Sequence, residues 1–390
     1  MERTYFDNSA TTRMDRRVME EMLPYFDQRY GNASSMHSFG REAYDAIELA
    51  RERTAKALGA TTREVVFTSG GTESDNLAIQ GAAFANIAKG RHIITTAFEH
   101  HAVLHTCHFM GSQGFRVTYL PVDGQGLVDP EDLKRAMTKE TILVSVMAAN
   151  NEVGTIQPIR ELGAIAHEGG SLFHTDAVQS IAKLPVDIAS DNIDLISISA
   201  HKFHGPKGVG ALCVRKGVKL RPVVYGGGQE RGLRSSTENV PGIVGLGKAI
   251  KIGVSEMEDS VARMVAIRDR LIDGTLSSLE GCFLNGHRTK RLCNNAHFRF
   301  DLVEGEALVL SLDMKGFATS TGSACSTRSA ETSHVLKALG VRPEDSRGSL
   351  RLSLSKFNTM EEAERFLGAI GEIVARLRSM APRAARSGGA

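Results

Sequence analysis

The chain has 390 residues, 42% apolar and 24% charged, with a formal net charge of +2. That length accommodates one large domain and a smaller one, and so small a net charge argues against a nucleic-acid partner or a charged membrane surface. No run of about 18 apolar residues exists, so no membrane span is expected.

The start of the chain lacks an apolar stretch, so no secretory signal is expected. Five cysteines (Cys107, Cys213, Cys282, Cys293 and Cys325) are odd in number and form no Cys-x-x-Cys. They fit a reducing cytoplasm and not a disulfide framework.

In chain order, the pattern predicts a helix over Tyr44–Leu58, a strand over Glu64–Thr68, a turn at Gly70 and Gly71, and a helix over Thr72–Ala88. Strands follow at His92–Thr95, Arg116–Leu120 and Thr141–Met147, with helices at Pro130–Met137 and Ile159–Glu168. Strands at Ser171–His174, Leu195–Ser199 and Gly210–Val214 complete the series. This alternation predicts an α/β fold with a mostly parallel sheet covered on both faces. From about Val244 a long helical stretch begins. After about Ile267 shorter strands (Ala296–Arg299, Leu350–Ser353) mix with helices (Gly305–Lys315, Ser333–Leu339, Met360–Leu377), which predicts a second, α+β domain. The expected division is 15–255 for the large domain, 1–14 with 256–379 for the small one, and 380–390 as a disordered tail.

The most informative stretch is the run from Ile193 to Gly208. An apolar strand ends and Ser199, His201 and Lys202 follow at once, before a Gly-Pro turn. A lysine so placed suits a Schiff base with pyridoxal 5'-phosphate, an electron-sink cofactor. Matching pieces lie upstream. At Val65–Asn76 a strand ends, two glycines turn the backbone, and a helix opens at Thr72. That is an anion site, or an ordinary capped helix. Asp176 ends another strand with Gln179 three residues on. The carboxylate suits a protonated pyridine nitrogen and the amide a phenolic oxygen, although an N-cap aspartate reads the same way.

His100 follows the strand at His92 and suits stacking on a flat ring. His101, His105 and His108 share a helical face that reads as weak metal spacing or as solvated surface. Asn150 and Asn151 end the strand at Thr141, to orient a ligand or satisfy a turn. All these groups fall at the carboxyl ends of predicted parallel strands, where open α/β sheets bind ligands. The glycine-rich run Gly242–Ala249 imitates a phosphate loop, but it follows no strand and lacks the hydroxyl after Lys248. It reads as a closely packed helix. Cys325 lies in a Gly- and Ser-rich segment as a thiol available for chemistry.

Together these runs resemble the cysteine desulfurases, the NifS/IscS-like branch of the class V aminotransferases, from Tyr5 to about Arg376. The resemblance begins at Phe6–Thr12 and Gly31–Ser35 and continues through Thr68–Asn76, Glu99–His100, Asn150–Gly154, His174–Ser180 and Ser199–Lys202. It ends with Gly226–Thr237, Gly322–Cys325 and Leu350–Leu354. It implies fold type I of the pyridoxal-phosphate transferases, with a seven-stranded sheet. Lys202 would be the Schiff-base lysine, Asp176 the partner of the pyridine nitrogen, His100 the stacking base and Gln179 the partner of the phenolic oxygen. Gly71, Thr72, Ser199 and His201 would hold the phosphate. Thr237 would reach the phosphate of a neighbouring subunit, which implies a homodimer. Asn151 and Arg351, with Asn32, would bind the carboxylate of L-cysteine, and Asn151 would also contact the cofactor. Cys325 would take the substrate sulfur as a persulfide and release alanine. It would pass that sulfur to an acceptor such as an iron–sulfur scaffold, where Cys325 is a candidate transient cluster ligand. Selenocysteine lyase and a non-catalytic sulfur or metal carrier are the rival readings. Ala33, where proline is usual, and the run Ser326–Glu331 depart from the common pattern and bear on the acceptor.

Overall fold

The computed structural model describes residues 2–322 and 333–381. Its strands, in chain order, are β1 (Thr4–Tyr5), β2 (Val65–Thr68), β3 (His92–Thr96), β4 (Arg116–Leu120), β5 (Thr141–Ser145), β6 (Leu172–Asp176), β7 (Leu195–Ser199), β8 (Gly210–Val214), β9 (Cys282–Leu284), β10 (Asn295–Phe300), β11 (Phe317–Ala318) and β12 (Ser349–Ser353). Seven of them form one sheet in the order β2-β8-β7-β6-β5-β3-β4. Only β8 runs against its neighbours; the other pairings are parallel. The expected mostly parallel seven-stranded sheet is therefore present.

Alternation along each strand divides the core. Ile94, Val144, Phe173 and Ile196 share one core with the helices Ser38–Ala57, Ile159–Glu168 and Val240–Ser255. Their chain neighbours Ile93, Leu143 and Leu195 face the helices Gly71–Ala85 and His101–Ser112. Both faces are covered, which is why β3, β5, β7 and β8 are buried along their whole length. A further core gathers Phe6 with Phe298, Leu350 and Phe366 around the antiparallel sheet β12-β10-β9. The parallel pair β1–β11 flanks it.

The run Gly242–Ala249 is helical, inside Val240–Ser255. A Cβ on Gly247 would lie 2.6 Å from the Ala50 Cα, and one on Gly245 would lie 2.5 Å from the Met22 sulfur. The glycines serve close helix packing and not phosphate binding, as the sequence indicates.

Several boundaries differ from expectation. The first long helix opens at Ser38 and not Tyr44, because the His37 ring accepts the Gly40 N–H and caps it. The helix Met257–Ser278 runs on past Ile267. Strand β9 carries no alternation strong enough to be anticipated. The last helix, Met360–Met380, opens with a Thr359–Glu362 capping box and extends through Met380; the rest of the expected tail, 382–390, lies outside the described residues. Among the described residues no helix is long and apolar enough to cross a membrane.

Candidate active site

The turns that follow β2, β3, β5, β6 and β7 meet in a cavity of about 290 Å³. The strand ends converge here because parallel strands all point the same way, and ligands of such sheets bind at that edge. The lining includes Gly71, Thr72, His100, Asn151, Asp176, Gln179, Ser199, His201, Lys202 and Arg351, ten residues singled out from the sequence. Asn32 and Thr237 are exposed and outside this lining; the Asn32 side chain accepts the Ser34 N–H at 2.9 Å. Cys325 lies outside the described residues.

The floor of the cavity is built from the large sheet. No side chain caps the N-terminus of the helix Gly71–Ala85, so its first N–H groups and its positive dipole end suit an anion. Gly71 has to be glycine: a Cβ there would stand 2.7 Å from Val178 Cγ2. Asp176, 6% exposed, accepts the Val178 N–H at 2.8 Å. Burial pushes its carboxyl up to about 6, against the pull of the backbone hydrogen bond and of Lys202. Two further buried carboxyls lie near it. Burial, with repulsion from Asp176, drives Asp75 well above the usual range, and burial raises Glu99 to about 8. Of the three carboxyls, Asp176 is the one that faces Lys202, whose positive charge favours its ionised form.

The Lys202 Nζ donates to the carbonyls of Ser9 at 2.6 Å and Ala10 at 2.7 Å. Burial, then the charges of Arg351 and Lys183, lower its pKa to about 8, so the nucleophilic neutral amine is far more available than in an ordinary lysine. Gln179 donates to the same Ser9 carbonyl at 3.0 Å. The His100 Nδ1 accepts the Ala102 N–H at 3.1 Å, which places the ring proton on Nε2 when the imidazole is neutral. Burial, then Lys202, lower the His100 pKa to about 4. His201 Nδ1 lies 3.1 Å from the Thr11 hydroxyl.

The opposite wall comes from the small sheet. Arg351 on β12 is paired with His297 on β10 and is 2% exposed. Its guanidinium donates to the carbonyls of Gly322 at 2.7 Å and Asn151 at 3.1 Å and to the Asp7 carboxylate at 2.9 Å. Its Nε has no partner among the described residues. Glu152 lines the same wall and accepts the Ser333 hydroxyl proton at 2.6 Å. Of the two asparagines, Asn150 satisfies a turn. It donates to the Phe98 carbonyl and accepts the N–H groups of Glu152 and Val153. Asn151 faces the cavity.

The imidazoles of His101 and His105 lie 4.9 Å apart, and His334 lies 4.7 Å from His101. Among the described residues no three His, Cys, Asp or Glu side chains are arranged to hold a metal, and His108 is exposed. Sequence reasoning missed Ser9, Ala10, Asp75, Glu99, Glu152 and His334. Glu99 and Glu152 sit beside His100 and Asn151 and were within reach. The carbonyls of Ser9 and Ala10 leave no side-chain signature.

The model of the aminotransferase class-V family matches residues 4–366. A curated cysteine desulfurase IscS of Methanosarcina thermophila is 55% identical over 378 residues, covering 97% of this chain and 93% of that protein. A solved NifS-like protein superposes with a TM-score of 0.90 at 44% identity, over 96% of this chain and 100% of the other. A structure described as SspA in complex with cysteine superposes with a TM-score of 0.80 at 37% identity, over 91% and 99%.

Proposed function

The chain belongs to the aminotransferase class-V family, and from that premise we propose that it is a cysteine desulfurase of the NifS/IscS type, which removes sulfur from L-cysteine to give L-alanine. One observation carries the reading. A half-buried lysine of lowered pKa, a buried carboxylate and a buried arginine share one cavity at the strand ends.

Pyridoxal 5'-phosphate is the cofactor these residues fit. The uncapped helix at Gly71, with Thr72, Ser199 and His201 beside it, suits a phosphate, and the space kept open by Gly71 admits one closely. Asp176, a buried carboxyl on the cavity floor, suits a protonated ring nitrogen. When bound, the cofactor supplies an electron sink for charge that develops on the substrate carbon.

The chain's own groups do the rest. Lys202 would hold the cofactor through its amine and, once freed, would move protons at the substrate carbons. Its two carbonyl partners aim it into the cavity. His100 would lie against the ring and handle a proton at Nε2, and Gln179 would offer its amide to the phenolic oxygen. Arg351 and Asn151 take the substrate carboxylate, for which the unpartnered Nε of Arg351 is a ready donor. Asn32 would contribute from outside this cavity. Cys325, as thiolate, attacks the substrate sulfur and keeps it as a persulfide, to be passed to an iron–sulfur scaffold or another acceptor. Cluster ligation by Cys325 belongs to that same transfer. Thr237, exposed and away from its own chain's cavity, would reach the phosphate in a second copy's site, which makes the working unit a homodimer.

The test compares alanine production from L-cysteine and from L-selenocysteine in wild type and Cys325→Ala. A desulfurase loses cysteine turnover in the variant. A variant that keeps full cysteine turnover would remove Cys325 from its role, and retained selenocysteine turnover alone would favour the lyase.

A further inference from the structure

The histidine-rich face after β3 has no part in the chemistry above, yet it begins at the cavity and ends in water. His100 and His101 both line the cavity. A second, open groove of about 350 Å³ is lined by His100, His101 and His105, and His105 is exposed. The ring centroids step 6.3 Å from His100 to His101 and 4.9 Å from His101 to His105, with His334 lying 4.7 Å to the side of His101. The His101 Nδ1 is buried and without a hydrogen-bond partner among the described residues, a polar atom left open for a transient one. His334 donates from Nε2 to the Glu99 carbonyl at 2.8 Å, so its Nδ1 is the acceptor in the neutral ring.

The reaction needs an outlet for protons. The nucleophile's thiol loses its proton and its sulfur bonds to the substrate sulfur. The substrate carbon–sulfur bond breaks with its electron pair going to carbon, and that carbon takes up a proton. Sulfur is oxidised and carbon reduced, with no external oxidant. A persulfide is more acidic than a thiol, so at neutral pH the product ionises and about one proton per turnover leaves a cavity walled by buried groups. We propose that His101 and His105, with His334 packed beside them, form an imidazole relay that carries this proton from His100 to solvent. The proposal rests on the desulfurase reading of the site.

The surroundings suit transfer and not storage. Burial lowers the pKa of His101 and His334 and the neighbouring imidazoles add to it, opposed by Glu152 at His101 and by the Glu99 carbonyl at His334. The ionisable groups facing it are Glu152 from the turn after β5, Lys202 from the turn after β7 and Glu99 on its own loop. The helix Gly71–Ala85 presents the uncharged Thr72, Asn76 and Gln80.

The experiment measures kcat and KM for L-cysteine in a bulky buffer, with and without added imidazole, for holoenzyme of wild type, His101→Gln and His105→Ala. His105 is exposed, so its variant tests the idea even if His101→Gln folds poorly. A relay predicts that kcat falls by about tenfold or more for His101→Gln and by less for His105→Ala, that KM stays within about twofold, that the bound-cofactor absorbance is unchanged, and that imidazole restores the rate in proportion to its concentration. Variants that match wild type, or a loss that imidazole does not touch, overturn the relay. If wild type itself makes no alanine, the desulfurase reading falls instead.

Discussion

The floor and the far wall of the cavity are built differently. The floor places each functional side chain within a few residues of a strand end: Gly71 after β2, His100 after β3, Asp176 at the end of β6, Lys202 after β7. The far wall brings Arg351 from an antiparallel sheet onto the carbonyl of Asn151, 200 residues away in sequence, and onto that of Gly322. A parallel sheet converts local sequence into a shared site, because every strand delivers its turn to the same edge. The wall depends on how the two cores meet, so its geometry is encoded over long range.

That difference orders the expected effects. Changes to the floor strike the chemistry. Lys202→Ala should cost on the order of 10³-fold or more in kcat, and Asp176→Asn about 10²-fold, while thermal unfolding shows both proteins folded. Comparable losses in kcat from the wall would erase the distinction. Arg351→Lys keeps the charge but loses the planar fork. It should raise KM for L-cysteine so that kcat/KM falls by roughly 10- to 100-fold, with the cofactor's absorbance intact. An unchanged KM would remove Arg351 from carboxylate binding.

The smallest effect is on stability. Burial keeps a proton on Glu99 in the folded protein up to about pH 8, whereas the unfolded chain releases it near the ordinary carboxyl value of 4.5. More protons are bound by the folded state in that window, so this group's contribution to stability falls as pH rises from 4.5 to 8. Relative to wild type, Glu99→Gln should gain stability progressively across that window in urea titrations. A difference independent of pH would show that Glu99 is ionised throughout.

Legibility followed the same division. The strands Arg116–Leu120, Leu195–Ser199 and Gly210–Val214 have their expected bounds; the last two are buried apolar runs, and the first is marked by β-branched and aromatic residues next to a glycine turn. Helix starts were less legible, as at Ser38, where a histidine does the capping. The floor residues could be named because strand, turn and polar side chain are adjacent in sequence. Glu152, next to Asn151, was within reach, but its tie to Ser333 was not, because that bond spans 181 residues. The Ser9 and Ala10 carbonyls that aim Lys202 could not either, because backbone acceptors are alike at every position. Asn150 shows the converse. Its type and place suit a ligand contact, and its hydrogen bonds are spent on its own turn.

The central claim, that sulfur passes from L-cysteine to this chain, is tested most directly by mass spectrometry of the holoenzyme after incubation with L-cysteine and no acceptor. The account predicts one added sulfur on the peptide containing Cys325, with alanine formed in step with it and no such adduct in Lys202→Ala. Alanine formed while that peptide stays unmodified would contradict it.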